Sequence, residues 1–118
     1  VELTNVFYEF NTLSKTWSKK SNFSGQQRVR ASGFSFKGMG YLSCGQGKKE
    51  TSPGSFQFVP LKDSWQYDPS KDTWTQSVDY PGDAFIDHVS SNSDSRACIG
   101  TGDPGTSIFY GKDFWIVK

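Results

Sequence analysis

The sequence is poor in the residues that most often carry catalysis and metal binding. Its 118 residues include one histidine, His88, which follows Asp87. A zinc site needs several His or Cys ligands, and a Ser-His-Asp triad needs partners that meet the histidine in space. We therefore expect His88 to be a structural residue or to line a channel. We assign no catalytic residue, no metal and no cofactor, although an enzyme is not excluded.

Cysteine is also scarce, with only Cys44 and Cys98 present. Two cysteines do not make a disulfide framework. They fall on corresponding segments of the repeat described below, but their spacing of 54 residues does not make them equivalent. We expect two buried free thiols that pack as small hydrophobic groups, in preference to a disulfide.

Long apolar stretches are missing too. The hydrophobic fraction is 34% and the mean hydropathy is −0.61, so the sequence offers no transmembrane helix and we expect no membrane insertion. The chain opens Val1-Glu2-Leu3-Thr4, without the basic start and apolar core of a signal peptide. We expect that such a signal was removed or that the chain is a piece of something longer.

Excess charge of one sign is absent, because the net charge is only +1. We therefore expect no nucleic-acid partner. The charge is unevenly placed: residues 1–59 hold eight Lys/Arg and three Glu, whereas residues 60–118 hold five Lys/Arg and nine Asp. Chance surface variation explains this asymmetry; alternatively, the two halves dock on each other or on neighbouring copies.

Aromatic residues are abundant, at 16% of the chain, and they mark strands. Trp65 and Tyr67 share one face of an extended segment, because side chains alternate along a strand. Asp68 and Pro69 open a turn, and a β pattern resumes at Trp74. The stretch from 62 to 74 therefore predicts strand, tight turn and strand.

The same pattern recurs along the chain. Three pairs of landmarks are each 57 residues apart: Tyr8 and Trp65, Trp17 and Trp74, Gly45 and Gly102. From Trp65 to Trp115 the spacing is 50, so the second unit is seven residues shorter, and the shortening lies after Gly102. Nowhere does an apolar helical period persist. The repeat predicts an all-β chain whose tryptophans pack sheets together, although tryptophans can also stack on sugars or bases.

Candidate binding residues lie on the loops, because loops on a rigid scaffold usually carry binding. The longest polar excursion is a predicted loop over Gly47–Ser55, and Phe56–Pro60 either extends a hairpin or belongs to that loop. The shorter counterpart loop in the second unit covers 103–107. The candidate binding residues are Arg28, Arg30, Lys48, Lys49, His88 and Asp103.

These motifs resemble kelch repeats of the bacterial style. The resemblance covers nearly the whole chain and rests on the stretches Trp65-Gln66-Tyr67-Asp68-Pro69, Thr73-Trp74-Thr75, Gly33-Phe34-Ser35, Gly40-Tyr41-Leu42 and Ile99-Gly100-Thr101-Gly102. The second unit departs from the pattern over Phe85–Ser95, which lacks Gly-Phe-Ser.

The resemblance implies a β-propeller of four-stranded blades. It implies that the Gly-ended strand is second, the Tyr-Asp-Pro strand third and the Trp strand outermost. The chain then holds the end of one blade (1–27), a full blade (28–79) and most of a further blade (80–118).

Such a chain cannot close a ring by itself. Blades are stabilised by packing on their neighbours, so two blades alone would expose apolar faces and open edges. We expect the remaining blades to come from a longer parent propeller or from copies of this chain, with an overlapping strand exchange in the second case.

Three functions follow from the resemblance. The first is a binding or scaffold module for a protein or glycan, exported from a bacterial cell to the periplasm or beyond. The second is part of a propeller enzyme, oxidase-like or epimerase-like, for which this chain holds no complete set of site residues. The third is a two-blade unit whose role is self-assembly. Fold alone does not choose among them.

Overall fold

The chain folds entirely as β-structure in the parts that the structure describes. The computed structural model describes residues 2–84, 86–103 and 113–118. In these residues there are twelve strands in four antiparallel sheets and no helix. The prediction of an all-β chain built of incomplete propeller blades is therefore confirmed. None of the described elements is a helix long and apolar enough to cross a membrane.

The strands fall into four groups along the chain. In order they are β1 Phe7–Asn11, β2 Thr16–Lys20, β3 Arg28–Val29, β4 Ser32–Phe36, β5 Met39–Ser43, β6 Gln46–Ser52, β7 Ser55–Pro60, β8 Ser64–Asp68, β9 Thr73–Gln76, β10 Val89–Asn92, β11 Ala97–Gly100 and β12 Phe114–Val117. We call β1–β2 the N-terminal hairpin, β4-β5-β8-β9 the central blade, β10-β11-β12 the C-terminal blade and β3-β6-β7 the projecting sheet.

The central blade follows the order expected from the sequence. Its second and third strands pair from Gly40↔Tyr67 to Ser43↔Ser64, and its third and outer strands place Tyr67 opposite Trp74. The turn between them is closed by the Asp68 carboxylate, which accepts a hydrogen bond from the backbone N–H of Ser70 at 2.9 Å. Asp68 and Pro69 thus form the turn that their side chains favour.

The projecting sheet corrects the prediction of a polar loop over Gly47–Ser55. Strands β6 and β7 form a hairpin in which Lys48 lies opposite Phe58 and Glu50 opposite Phe56. The tip is closed by Gly54, whose φ is 79° and whose N–H donates to the Glu50 carboxylate at 3.1 Å. The polar sequence concealed strands because this hairpin is exposed on both faces along most of its length.

The backbone repeats as faithfully as the aromatic landmarks do. Residues in the left-handed region recur at a spacing of 57 residues, a conformation that costs energy for side chains other than glycine. The recurring pairs are Lys15 and Asp72, Arg30 and Asp87, Cys44 and Thr101, Gly45 and Gly102. Equivalent turns therefore occupy equivalent places in successive units.

Inner strands β4 and β10 lie side by side. The Ser90 hydroxyl donates to the Gly33 carbonyl at 2.9 Å, and the Ser32 hydroxyl donates to the His88 carbonyl. These partners are 56 or 57 residues apart, so nearly equivalent residues of neighbouring units touch. Residues related by rotation come that close only near the rotation axis, so the inner strands line the centre of the assembly.

Aromatic rings fill the boundary between the N-terminal hairpin and the central blade. The Trp74 ring centroid lies 5.2 Å from that of Phe7 and 5.0 Å from that of Phe23, and the Trp65 centroid lies 5.4 Å from Phe23. Edge-on pairs of this kind add to the stabilisation from burial. Tryptophans at repeat positions do pack blades together here.

Trp17 does not follow this prediction, since it is 68% exposed and contacts Phe10 at a centroid distance of 4.9 Å. No described strand lies against its face of the N-terminal hairpin. At the other side of the molecule, Trp115 and Ile116 of β12 are likewise largely exposed. Both outer faces of the described chain therefore present apolar side chains to solvent.

Candidate functional site

One end of the blades gathers every candidate binding residue. In an antiparallel order of inner, second, third and outer strand, the inner strand begins and the second strand ends at the same end. We call this end the loop end; it comprises residues 21–31, 44–63, 77–84, 86–88 and 101–103. Arg28, Arg30, Lys48, Lys49, His88 and Asp103 all lie there. The part of the counterpart loop predicted at 104–107 lies outside the described residues.

Arg28 is committed to the interior. Its side chain is only 3% exposed, and its guanidinium donates to the Asp63 carboxylate at 2.9 and 2.6 Å and to the Cys44 carbonyl at 2.9 Å. The same group lies 5.1 Å from the ring centroid of Phe23. Arg28 therefore ties the projecting sheet to the start of β8, and no ligand reaches it from solvent.

Asp63 is the acceptor at the centre of this arrangement. Burial raises the pKa of its carboxyl, but hydrogen bonds from Arg28 and Trp65, together with the charge of Arg28, outweigh burial and hold that pKa below its usual value. The indole N–H of Trp65 donates to it at 2.6 Å. Sequence reasoning missed Asp63, although an Asp two residues before a strand Trp recurs as Asp113 before Trp115.

Arg30 bridges the two units at the surface. Its Nε lies 2.8 Å from Oδ2 of Asp87, a second guanidinium nitrogen contacts the same oxygen, and the Asp87 N–H donates to the Arg30 carbonyl at 3.1 Å. Both side chains are nearly half exposed. The hydrogen bond from Arg30 lowers the pKa of Asp87, and its counterpart raises the pKa of Arg30.

Asp103 lies beside this pair. Its backbone exchanges two hydrogen bonds of 2.8 Å with Ile86, so the second unit is closed by a bridge where the first unit carries its hairpin. A shallow cavity of about 320 Å³ is lined by Asp87, Thr101, Gly102 and Asp103. The loop end thus has an acidic part next to the Arg30 guanidinium.

Lys48 stands between two exposed rings of the projecting sheet. Its ammonium lies 5.9 Å from the ring centroids of both Phe56 and Phe58, within cation–π range. Phe56 is 60% exposed and Phe58 is 38% exposed. Lys49, opposite Gln57, points to the other face of the hairpin. This face can contact apolar groups and a negative charge at once.

His88 is buried at the junction of the two units. Its ring meets the ring of Tyr80 edge-on at a centroid distance of 4.7 Å. Burial lowers the pKa of His88, and the charges of Asp113 and Asp87 only partly offset that effect. The imidazole is therefore neutral at neutral pH and belongs to the packing between units.

Both cysteines are free thiols, as expected. Cys44 is fully buried beside Tyr80 and Ile99, while Cys98 is partly exposed. Burial raises the pKa of the Cys44 thiol to about 12, which removes its reactivity at neutral pH. Within the described ranges, no three His, Cys, Asp or Glu side chains come together as a metal site.

Comparison with known proteins adds one structural likeness. No protein-family model and no curated protein matches the chain. Among solved structures the chain is similar to YjhT, with a TM-score of 0.67 and 25% sequence identity over 83% of its residues. The matched region is 28% of YjhT, so this chain spans less than a third of that protein's length.

Proposed function

We propose that the chain is part of a kelch-type β-propeller and serves as a binding module, with the loop end as its ligand-binding face. The repeat at 57 residues, the strand order of the central blade and the likeness to YjhT support the propeller. The exposed Phe56 and Phe58 on either side of Lys48 are the single observation that carries the binding role. Solvent-exposed rings on a projecting hairpin have no role in the packing of the blades.

The ligand that this face fits best is a protein segment with acidic side chains. Strand β7 is the edge strand of the projecting sheet, so one row of its backbone groups has no strand partner in the described residues. An extended segment can add to such an edge through main-chain hydrogen bonds. Lys48 and Lys49 then favour carboxylates, and the two rings take apolar side chains. A glycan would use the rings and the charge but not the open edge.

Binding to two immobilised panels, one of acidic peptides and one of glycans, tests this proposal. We expect the chain to bind acidic peptides, and Phe56→Ser or Lys48→Glu to weaken that binding at least tenfold. Leu13→Ser is the matched control, because Leu13 is 93% exposed but lies at the opposite end of the blades. Glycan binding that depends on Phe56, or peptide binding that ignores both substitutions, would refute the protein ligand.

Further blades complete the ring in this proposal, supplied by a longer parent chain or by copies of this one. Exposed apolar side chains on both outer faces support this, among them Tyr8, Phe10 and Trp17 on one face and Trp115 and Ile116 on the other. Light scattering tests it: we expect the isolated chain to self-associate. A stable monomer of 13.2 kDa with no tendency to associate would contradict the open-faced blades.

The proposed location is the bacterial cell exterior or the periplasm. Only the resemblance to bacterial-style repeats supports it. Cell fractionation of the native host, probed with an antibody against this chain, is the test, and recovery in the cytosolic fraction alone would refute it.

A further inference from the structure

A cleft beside β12 has the composition of a seat for a tryptophan-bearing strand. The cavity has a volume of about 370 Å³ and is lined on its apolar side by Tyr80, Ile99, Trp115 and Val117. We call it the open cleft. The outer edge of β12 is unpaired in the described residues, since the order of this sheet is β10-β11-β12.

The preceding boundary shows what fills the equivalent position. There Trp74 of the outer strand lies 5.2 Å from Phe7 and 5.0 Å from Phe23 between ring centroids. It lies 5.0 Å from Tyr67, opposite which it pairs. Its indole N–H donates to the Ser21 carbonyl at 3.3 Å. Four residues thus surround this indole.

All four have equivalents in the open cleft. A shift of 57 residues carries Phe7, Ser21 and Phe23 to Ser64, Val78 and Tyr80, and a shift of 50 carries Tyr67 to Val117; each of these four lines the cavity. The surroundings repeat as well. The Trp65–Phe23 ring contact at 5.4 Å recurs as Trp115–Tyr80 at 6.4 Å.

The hydrogen bond of the strand tryptophan to the Asp two residues before it also recurs. Trp65 donates to Asp63 at 2.6 Å, and Trp115 donates to Asp113 at 3.1 Å. The two boundaries therefore share their geometry up to the position of Trp74, and only that element has no counterpart among the described residues.

We infer that the open cleft binds an antiparallel β-strand that pairs with the outer edge of β12 and places an aromatic side chain opposite Val117. The indole of that strand packs on Tyr80 and donates to the carbonyl of Val78. The open edge supplies main-chain hydrogen bonds, and the cavity selects an aromatic side chain at one position. This inference rests on the propeller part of the proposed function and is independent of the ligand at the loop end.

A fluorescent peptide with the sequence of residues 71–78, Lys-Asp-Thr-Trp-Thr-Gln-Ser-Val, is the probe. Its binding to the full chain is followed by fluorescence anisotropy, beside a second peptide in which Ser replaces Trp. We expect the Trp peptide to bind at least tenfold more tightly. Val117→Arg should abolish this preference, whereas Val89→Arg, at an exposed position of inner strand β10, should keep it.

Two results would overturn the inference. One is equal affinity for the two peptides; the other is binding that Val117→Arg leaves intact. Circular dichroism of each variant shows whether it is folded, and Ile116→Arg, at a residue that is 53% exposed, replaces Val117→Arg if the latter unfolds the chain. Loss of strand binding with retained acidic-peptide binding would refute this seat alone, because Phe56 and Lys48 lie elsewhere.

Discussion

Arg30 and Asp87, equivalent residues of successive units 57 positions apart, form an ion pair with each other across the boundary. A pairing of equivalent positions means that the repeat is not a copy in chemistry. One unit contributes the cation and the next contributes the anion, on the same left-handed backbone turn. The +5 and −4 imbalance between the two halves is thus expressed as a contact between neighbouring units at the loop end.

The buried ion pair at Arg28 should matter more to stability than the exposed one at Arg30. We expect Arg28→Gln to lower the free energy of unfolding by about 3 kcal/mol, because it leaves the partly buried Asp63 carboxylate without its cation. Arg30→Gln is the matched control and should change stability less, since water screens that pair. Urea denaturation followed by tryptophan fluorescence measures both, and equal losses would show that Arg28 is not a structural tie.

Acid should destabilise the fold through Asp63. Its pKa is lowered in the folded state, so its contribution to stability is present above the unfolded value of about 3.9 and is lost as the pH falls through the folded pKa. The urea midpoint should therefore drop steeply below about pH 4. Asp63→Asn should start less stable and lose part of that slope. An unchanged slope would assign acid sensitivity to other carboxylates.

Gly45 should not tolerate a side chain. Its φ is 92°, and a Cβ there would lie 2.7 Å from the Val29 carbonyl oxygen and 2.9 Å from the Ala31 backbone. Gly54 has a φ of 79° but open space around it, so Gly54→Ala isolates the conformational cost, about 1 kcal/mol. We expect Gly45→Ala to shift the thermal midpoint down by clearly more than Gly54→Ala. Similar shifts would mean that the backbone near β3 yields readily.

The two thiols should differ in reactivity. Cys44 is fully buried and its pKa is raised to about 12, whereas Cys98 is partly exposed. Titration with a thiol reagent at pH 8 should modify Cys98 first and Cys44 only on unfolding. A Cys98→Ser variant should then show no fast phase. A fast reaction of Cys44 in that variant would reveal frequent opening between the two units.

Much of the architecture can be predicted from the sequence because the aromatic landmarks are local and repeated. Trp65, Tyr67 and Trp74 lie on the strands that the pattern indicated, and the turn at Asp68 is encoded by its own side chain. Strands β6 and β7 were missed for the opposite reason. Their residues face solvent on both sides, so no alternation of apolar and polar residues marks them, and only tertiary placement makes them a hairpin.

The candidate site could be predicted in position but not in chemistry. Loop residues such as Arg28 and Arg30 look alike in the sequence, yet one is sealed against Asp63 and the other is exposed beside Asp87. That difference depends on which loop folds over which. The Asp two residues before each strand Trp was a repeated signal that could have identified the acceptor, because an indole N–H needs a partner when it is buried.

The pairing of β5 with β8 ends at Ser43↔Ser64, and everything from Gln46 to Pro60 extends beyond it as a separate sheet. The blade therefore does not rely on those residues for its own register. Natural or engineered sequence change in that segment can alter what the protein recognises without reopening the question of whether it folds. Recognition and scaffold can in this way diversify at different rates along one short chain.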